Sequence, residues 1–338
     1  MSEKRVSTPL EDRWINTIVR SNTRSNYTYA FKLYLEYTGK TAEELVDEAI
    51  EDQRRDPREK RGLPLTRILG FYEWLQKEYR ITQNSAKTLV TAVRSFYSTF
   101  EIYVKLKGRS NLPRGRVRHK RLILDPRQVL RLVNHTRTIR DRAIIVMIYQ
   151  SGMDVSTLCS LEYQDVEKGL RERDHPLFLD MSRVKTEVDY FTFLGRDSAD
   201  LLEAYIEDMM RRGFKYTPTT SLFWTEHEKR PLRPHAIQDS LRDSSIRAGF
   251  IQEDSPFNIA GAHALRESFS SILINDEVPD SIVDFLMGHV VGAMASAYKT
   301  VQFDKVRRIY LEREPLLSIY PTSARANGIH LAREDVVE

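Results

Sequence analysis

Over the first hundred residues the apolar positions recur every three or four residues, the period of a helix with one buried face. Residues 14–19 open one amphipathic stretch. Tyr27, Tyr29, Ala30, Phe31, Leu33, Tyr34 and Leu35 give a second with a wide apolar face, and Ser25 or Asn26 is placed to cap it. Residues 43–61 are densely charged and broken at Pro57. Leu65, Ile68, Leu69, Tyr72 and Leu75 predict a helix over 63–79, with Pro64 in its first turn, where a missing N–H costs nothing. Leu89, Val90, Val93 and Phe96 predict another over 85–97. Four or five helices without a convincing strand predict a small helical bundle.

Past residue 124 the pattern changes. Asp125-Pro126 reads as a helix start, 141–149 as a buried helix, Ser151-Gly152 as its break and 155–161 as the next helix. Residues 176–181 and 188–194 are the strand candidates, and the polar stretch 182–187 is expected to be the hairpin turn between them. Helices are expected again at 198–212, 234–248, 263–274 and 281–287. The expected fold is mainly α. It has a helical domain over 1–103, a linker over 104–123, a mostly helical domain with a small antiparallel sheet over 124–325, and a tail over 326–338. No internal repeat or long low-complexity segment interrupts this order.

Composition narrows the class. At 338 residues and 41% hydrophobic, the chain has material for two buried cores. Its longest apolar run, 143–149, falls far short of the roughly 18–20 residues of a membrane span. The N-terminus lacks the apolar stretch of a secretory signal. The single cysteine, Cys159, excludes an internal disulfide and a multi-thiolate metal site. A cytoplasmic protein with no membrane partner is expected.

The net charge of +4 conceals an asymmetry: residues 1–121 hold 25 Lys+Arg against 15 Asp+Glu, and the remainder 27 against 33. Residues 102–124 carry Lys105, Lys107, Arg109, Arg114, Arg116, Arg118, Lys120 and Arg121 with no acidic residue. Such a segment attracts a nucleic-acid backbone through counterion release; the plainer reading is a solvated basic linker. The acidic run over 43–59 reads as a solvated face.

The most informative stretch is His263-Ala-Leu-Arg266, then Gly288-His289, then Tyr298. On a helix, His263 and Arg266 at i and i+3 share a face. An arginine fork can hold two phosphate oxygens and stays charged, and a histidine suits proton transfer. A tyrosine hydroxyl, with a pKa of about 10, needs such help to act as a nucleophile. Each element alone has a plain reading: a surface pair, a helix C-cap, a packed tyrosine. Tyr310, in an amphipathic stretch over 306–312, reads as packing or partner docking, and Cys159 as core.

Taken in order, with nine residues from His289 to Tyr298, the set resembles the C-terminal signature of the tyrosine recombinases, the phage-integrase family. The resemblance covers about 124–315; the first hundred residues match the family's core-binding domain only in helical character and position. It implies a site-specific recombinase or integrase that cleaves and rejoins double-stranded DNA through a 3′-phosphotyrosine, with neither ATP nor an obligatory metal, assembled as a homo-tetramer on DNA and nucleoid-associated when bound. It implies Tyr298 as nucleophile, Arg266 and His289 as stabilisers of the transition state, and His263 as an aid to proton transfer. Lys185, at the expected hairpin turn, matches the family's general acid.

One position departs from the pattern. Residues 148–158 match the context of the family's first catalytic arginine, but Asp154 stands where that arginine belongs. A carboxylate there repels a phosphate; it is also placed to cap the following helix. Arg142, Arg183 and Arg140 are the candidates to replace the missing guanidinium. The alternative is a catalytically degenerate member that binds DNA as a regulator or architectural protein. A type IB topoisomerase would share the chemistry without pairing two sites.

Overall fold

Threonines start three of the N-terminal helices. Thr8 caps α1 (Pro9–Asn16), Thr41 caps α3 (Ala42–Arg54) reciprocally with Glu44, and Thr82 caps α5 (Gln83–Thr99). Between them lie α2 (Ser21–Thr38) and α4 (Leu63–Glu78), the latter with Pro64 in its first turn. The expected cap at Ser25 or Asn26 is not used: α2 begins earlier, at Ser21, and the Ser25 hydroxyl bonds back to the Ser21 carbonyl. That first turn is mostly exposed, so no apolar period marks it.

The structure, a computed structural model, describes residues 8–56, 58–59, 62–108, 112–113, 121–184, 188–225, 230–289 and 303–320. The chain forms two compact units, Met1–Arg118 and His119–Glu338. In the first, Trp14, Phe31 and Phe96 interlock with ring centroids 4.2 to 5.5 Å apart. The buried Tyr34 and Tyr97 hydroxyls satisfy each other at 3.0 Å. Val104 and Leu112, in the segment expected to be a linker, are buried in this same core. Charge begins to accumulate before packing ends, which is why charge alone draws the border early.

The second unit opens with α6 (Pro126–Asn134), whose cap Asp125 is reciprocated by Gln128. Next comes α7 (Ile139–Ser151), an apolar helix buried throughout its second half, with α10 (Arg196–Arg211), α11 (Pro234–Arg247) and α12 (Ala262–Asn275) packed around it. A helix hydrophobic on all sides belongs at the centre of a core. Short helices α8 (Val155–Ser160) and α9 (Gln164–Glu172) follow. The sequence pattern gives no warning of α9, because Val166 is its one fully buried residue.

Strands β1 (Leu177–Arg183) and β2 (Val188–Leu194) form an antiparallel hairpin, with Met181 opposite Tyr190 and Arg183 opposite Val188. Ser182 and Arg183 therefore belong to the sheet and not to the turn in which their polarity placed them. Helices α13 (Asp280–Leu286) and α14 (Phe303–Leu317) close the unit, and Phe285 and Phe303 pack on Phe191 of β2. Tyr310 is buried in α14 and donates its hydroxyl to the Gln150 carbonyl at 2.8 Å, a packing role. No helix among the described residues is long and apolar enough to cross a membrane.

The turn after α7 is narrowly constrained. Gly152 has φ of +65°, and a Cβ there would lie 2.4 Å from Cδ1 of Phe269. Gly152→Ala combines a left-handed backbone penalty with overpacking, and is expected to destabilise the chain by about 2–5 kcal/mol in denaturant unfolding. A loss below about 1 kcal/mol would show that the turn relaxes.

Candidate active site

Arg266 lies one turn into α12 and is only 5% exposed. A buried guanidinium needs its donors filled. Its Nη1 donates to the Gly152 carbonyl at the end of α7, and its Nη2 donates to the Met287 carbonyl at 2.7 Å. Nη2 also lies 2.8 Å from Nε2 of His289. Because arginine only donates, Nε2 of His289 accepts, which leaves the ring proton on Nδ1, facing Oδ1 of Asp284 at 3.3 Å. One side chain thus ties together the ends of α7 and α13 and the imidazole beyond.

Gly288 makes the link between α13 and His289. It adopts φ of +66°, which lets the His289 N–H return to the Asp284 carbonyl at 2.8 Å. A side chain at this position would also crowd Tyr190, whose ring lies 2.9 Å from where a Cβ would sit. The expected break at Gly288 is present, with a second reason for glycine that the sequence does not reveal.

Asp154 has two partners. Oδ1 accepts the Thr157 N–H at 3.0 Å, capping α8 as expected. Oδ2 accepts from Nε of Arg183 at 3.0 Å, and Nη1 of Arg183 reaches the Gly288 carbonyl at 3.3 Å. The pair is largely shielded, with the two side chains 20% and 16% exposed. Burial opposes ionisation of Asp154, but these hydrogen bonds and the Arg266 and Arg183 charges outweigh it and hold the carboxyl below its ordinary range. Arg140 is instead bound to Asp141 and the Trp224 carbonyl, and the Arg142 charge acts on Tyr320. Of the three candidate replacements, Arg183 alone adjoins Arg266 and His289.

His263 opens α12 with one face exposed. Partial desolvation and the charges of Arg121 and Arg266 lower its pKa. Desolvation and Arg266 also lower that of His289, against the opposing pull of Asp284. Both imidazoles are therefore neutral at neutral pH, able to accept a proton or a hydrogen bond. Arg266 and Arg183 bring two guanidiniums beside the Asp154 carboxylate, a donor set suited to an oxyanion.

Lys185 and Tyr298 lie outside the described residues, as do Arg109, Arg114, Arg116, Arg118 and Lys120. Of the other basic candidates, Lys105 and Lys107 are exposed in the first unit. Arg121 is bound to Glu267 at 2.5 Å, on the same helix as His263. Among the described residues no cluster of His, Cys, Asp or Glu is arranged to hold a metal. Sequence motifs do not single out Asp284. Its place five residues before His289, on the helix that Gly288 ends, is the one signal that could.

The depressed histidines set a pH test. In NMR titration, His263 and His289 are expected to have midpoints below the ordinary value of about 6.5. Because the unfolded chain then binds more protons, stability contributed by these two rings is present above pH of about 6.5 and lost as pH falls toward the folded midpoints. Midpoints at or above 6.5 would contradict the arrangement of charges.

Comparison with known proteins gives the family of the chain. The family model described as the phage integrase family matches residues 123–305, a span that contains Asp154, Arg183, His263, Arg266, Asp284 and His289. The tyrosine recombinase XerD of Staphylococcus saprophyticus is 28% identical over 186 residues, 52% of this chain and 55% of that protein. XerD of Staphylococcus aureus is 27% identical over 185 residues, 54% and 57% respectively. The chain thus matches little more than half the length of these relatives.

Among solved structures, a lambda integrase dimer bound to a COC′ core site aligns with a TM-score of 0.58 at 15% identity, over 84% of this chain and 95% of that one. The Tn1549 transposon integrase in complex with transposon right end DNA aligns at 0.57 and 15%, over 92% and 100%. At such identity these structures speak for the fold, which they share with a chain that belongs to the phage integrase family.

Proposed function

We propose that this chain is a site-specific DNA recombinase that cuts and rejoins duplex DNA through a 3′-phosphotyrosine. The observation that carries the reading is the convergence of Arg266, His289 and Arg183, from α12, the turn after α13 and β1, around the Met287–Gly288 carbonyls. A structural role for Arg266 alone would not require an imidazole on its outer face. The family and the DNA-bound fold relatives point the same way.

In this mechanism the Tyr298 oxygen attacks the scissile phosphorus. The Tyr–O–P bond forms, the P–O5′ bond breaks, and the phosphotyrosine conserves the bond energy for rejoining. Arg266 holds the phosphate oxygens through the transition state, where fixed donors act most strongly. His289, with Nε2 turned inward by Arg266 and its proton held on Nδ1 by Asp284, steadies the same group. Neutral His263 is in the correct state to help remove the tyrosine proton, and Lys185 protonates the leaving O5′. The basic segment over 102–124 binds the DNA backbone, and recombination takes place in a tetramer of this chain on two sites. The protein acts in the cytoplasm and is nucleoid-associated when bound.

Asp154 favours a second reading, a DNA-binding member that has lost cleavage. A nicked suicide duplex separates the two. The first reading expects a covalent protein–DNA adduct that Tyr298→Phe abolishes and that Arg266→Ala slows by about 100-fold or more. No adduct on any bound duplex would leave the binding protein, and an adduct that survives Tyr298→Phe would remove Tyr298 as nucleophile. Salt dependence tests the basic segment separately: replacing Arg114, Arg116 and Arg118 by Ala should reduce the slope of log K against log salt by about 0.9 for each phosphate no longer neutralised. An unchanged slope would place the DNA elsewhere.

A further inference from the structure

We propose that Arg183 is a phosphate-binding residue of this site, supplying from strand β1 the guanidinium that Asp154 displaces from the loop before α8. The inference rests on the recombinase reading and says how that reading survives the loss of an arginine.

Three observations carry it. First, Arg183 is fixed but not saturated. Nε is held by Asp154 and Nη1 by the Gly288 carbonyl, while Nη2 has no hydrogen-bond partner among the described residues. An arginine serving only to neutralise Asp154 would more naturally turn both ends of its fork to the carboxylate.

Second, the carboxylate is already engaged. One oxygen of Asp154 takes the Thr157 N–H and the other takes Arg183, so its charge is answered within the protein and its repulsion of a phosphate is offset. Asp154 then acts as a positioning residue, aiming Arg183 while capping α8.

Third, Arg183 lies beside a second cation. Burial and then the nearby Arg183 charge disfavour the Arg266 cation, and Arg183 acts on His289 in the same direction. Both guanidiniums act on the Asp154 carboxylate, and like charges at close range in a shielded setting repel. A phosphate dianion-like transition state is the group that relieves this repulsion. Relative to the family pattern, the cation has moved from loop to strand and its former position has become its anchor.

The test is a thermodynamic cycle on the full chain in a Tyr298→Phe background, so that binding is read without cleavage. The probe is a duplex selected from a random-sequence library by the full chain, with single neutral methylphosphonates placed at each phosphate in turn. With Arg183 present, neutralising the phosphate it contacts is expected to weaken binding about tenfold. With Arg183→Gln, the same change is expected to weaken it less than about threefold.

Because Arg183→Gln leaves Asp154 unpaired, the cycle is repeated with Asp154→Asn in both arms; asparagine keeps the helix cap. Coupling confined to one phosphate, the same in both backgrounds, supports the proposal. Additive effects at every phosphate overturn it and leave Arg183 as the counter-ion of Asp154. Failure of the recombinase reading appears separately, as no Tyr298 adduct from a chain that still shows the coupling.

Discussion

A guanidinium that is nearly sealed from water organises this site. Arg266 cannot lose its charge, so its burial is tolerated only if its donors meet acceptors. The fold provides two backbone carbonyls, from Gly152 at the end of α7 and Met287 at the end of α13. Both helix ends are therefore fixed by the same side chain. Each depends on a nearby glycine in the left-handed region, Gly152 pressed against Phe269 and Gly288 against Tyr190. What remains of the guanidinium faces His289, so satisfying a buried charge also aims an imidazole.

This arrangement has a chemical consequence. Groups fixed before substrate arrives need little reorganisation as charge develops, which is the condition under which electrostatic stabilisation is strongest. Partial desolvation and then the same positive charge keep His263 and His289 neutral, and Asp284 fixes which nitrogen of His289 carries the proton. Asp154 belongs to this balance. In isolation it reads as a defect. With Arg183 on one oxygen and the Thr157 N–H on the other, it is a helix cap that also clamps a strand.

The parts legible in the sequence are those whose signal is local. His263 and Arg266 lie within one helical turn, Gly288 marks its own turn, and Asp154 is a recognisable cap before α8. The two-stranded hairpin and the buried α7 follow from runs of apolar residues. What escapes is set by pairing across the fold. Arg183 looks like turn polarity because its reason for being in β1 is Asp154, 29 residues earlier. Asp284 has no motif, only a distance to His289. Helix α9 and the first turn of α2 bury too little to leave a period, and the basic charge around Lys105 hides that Val104 and Leu112 still pack into the first core.

The most direct measurement is a crystal structure of the Tyr298→Phe full chain on a duplex that it selects. The cleavage-site phosphate is expected against Arg266, His289 and Arg183, with the Arg266 and Arg183 guanidiniums both within hydrogen-bond distance of its oxygens and Asp154 still bonded to Arg183. A phosphate bound away from these residues, or Asp154 turned toward it with Arg183 displaced, would contradict a site built around the buried charge of Arg266.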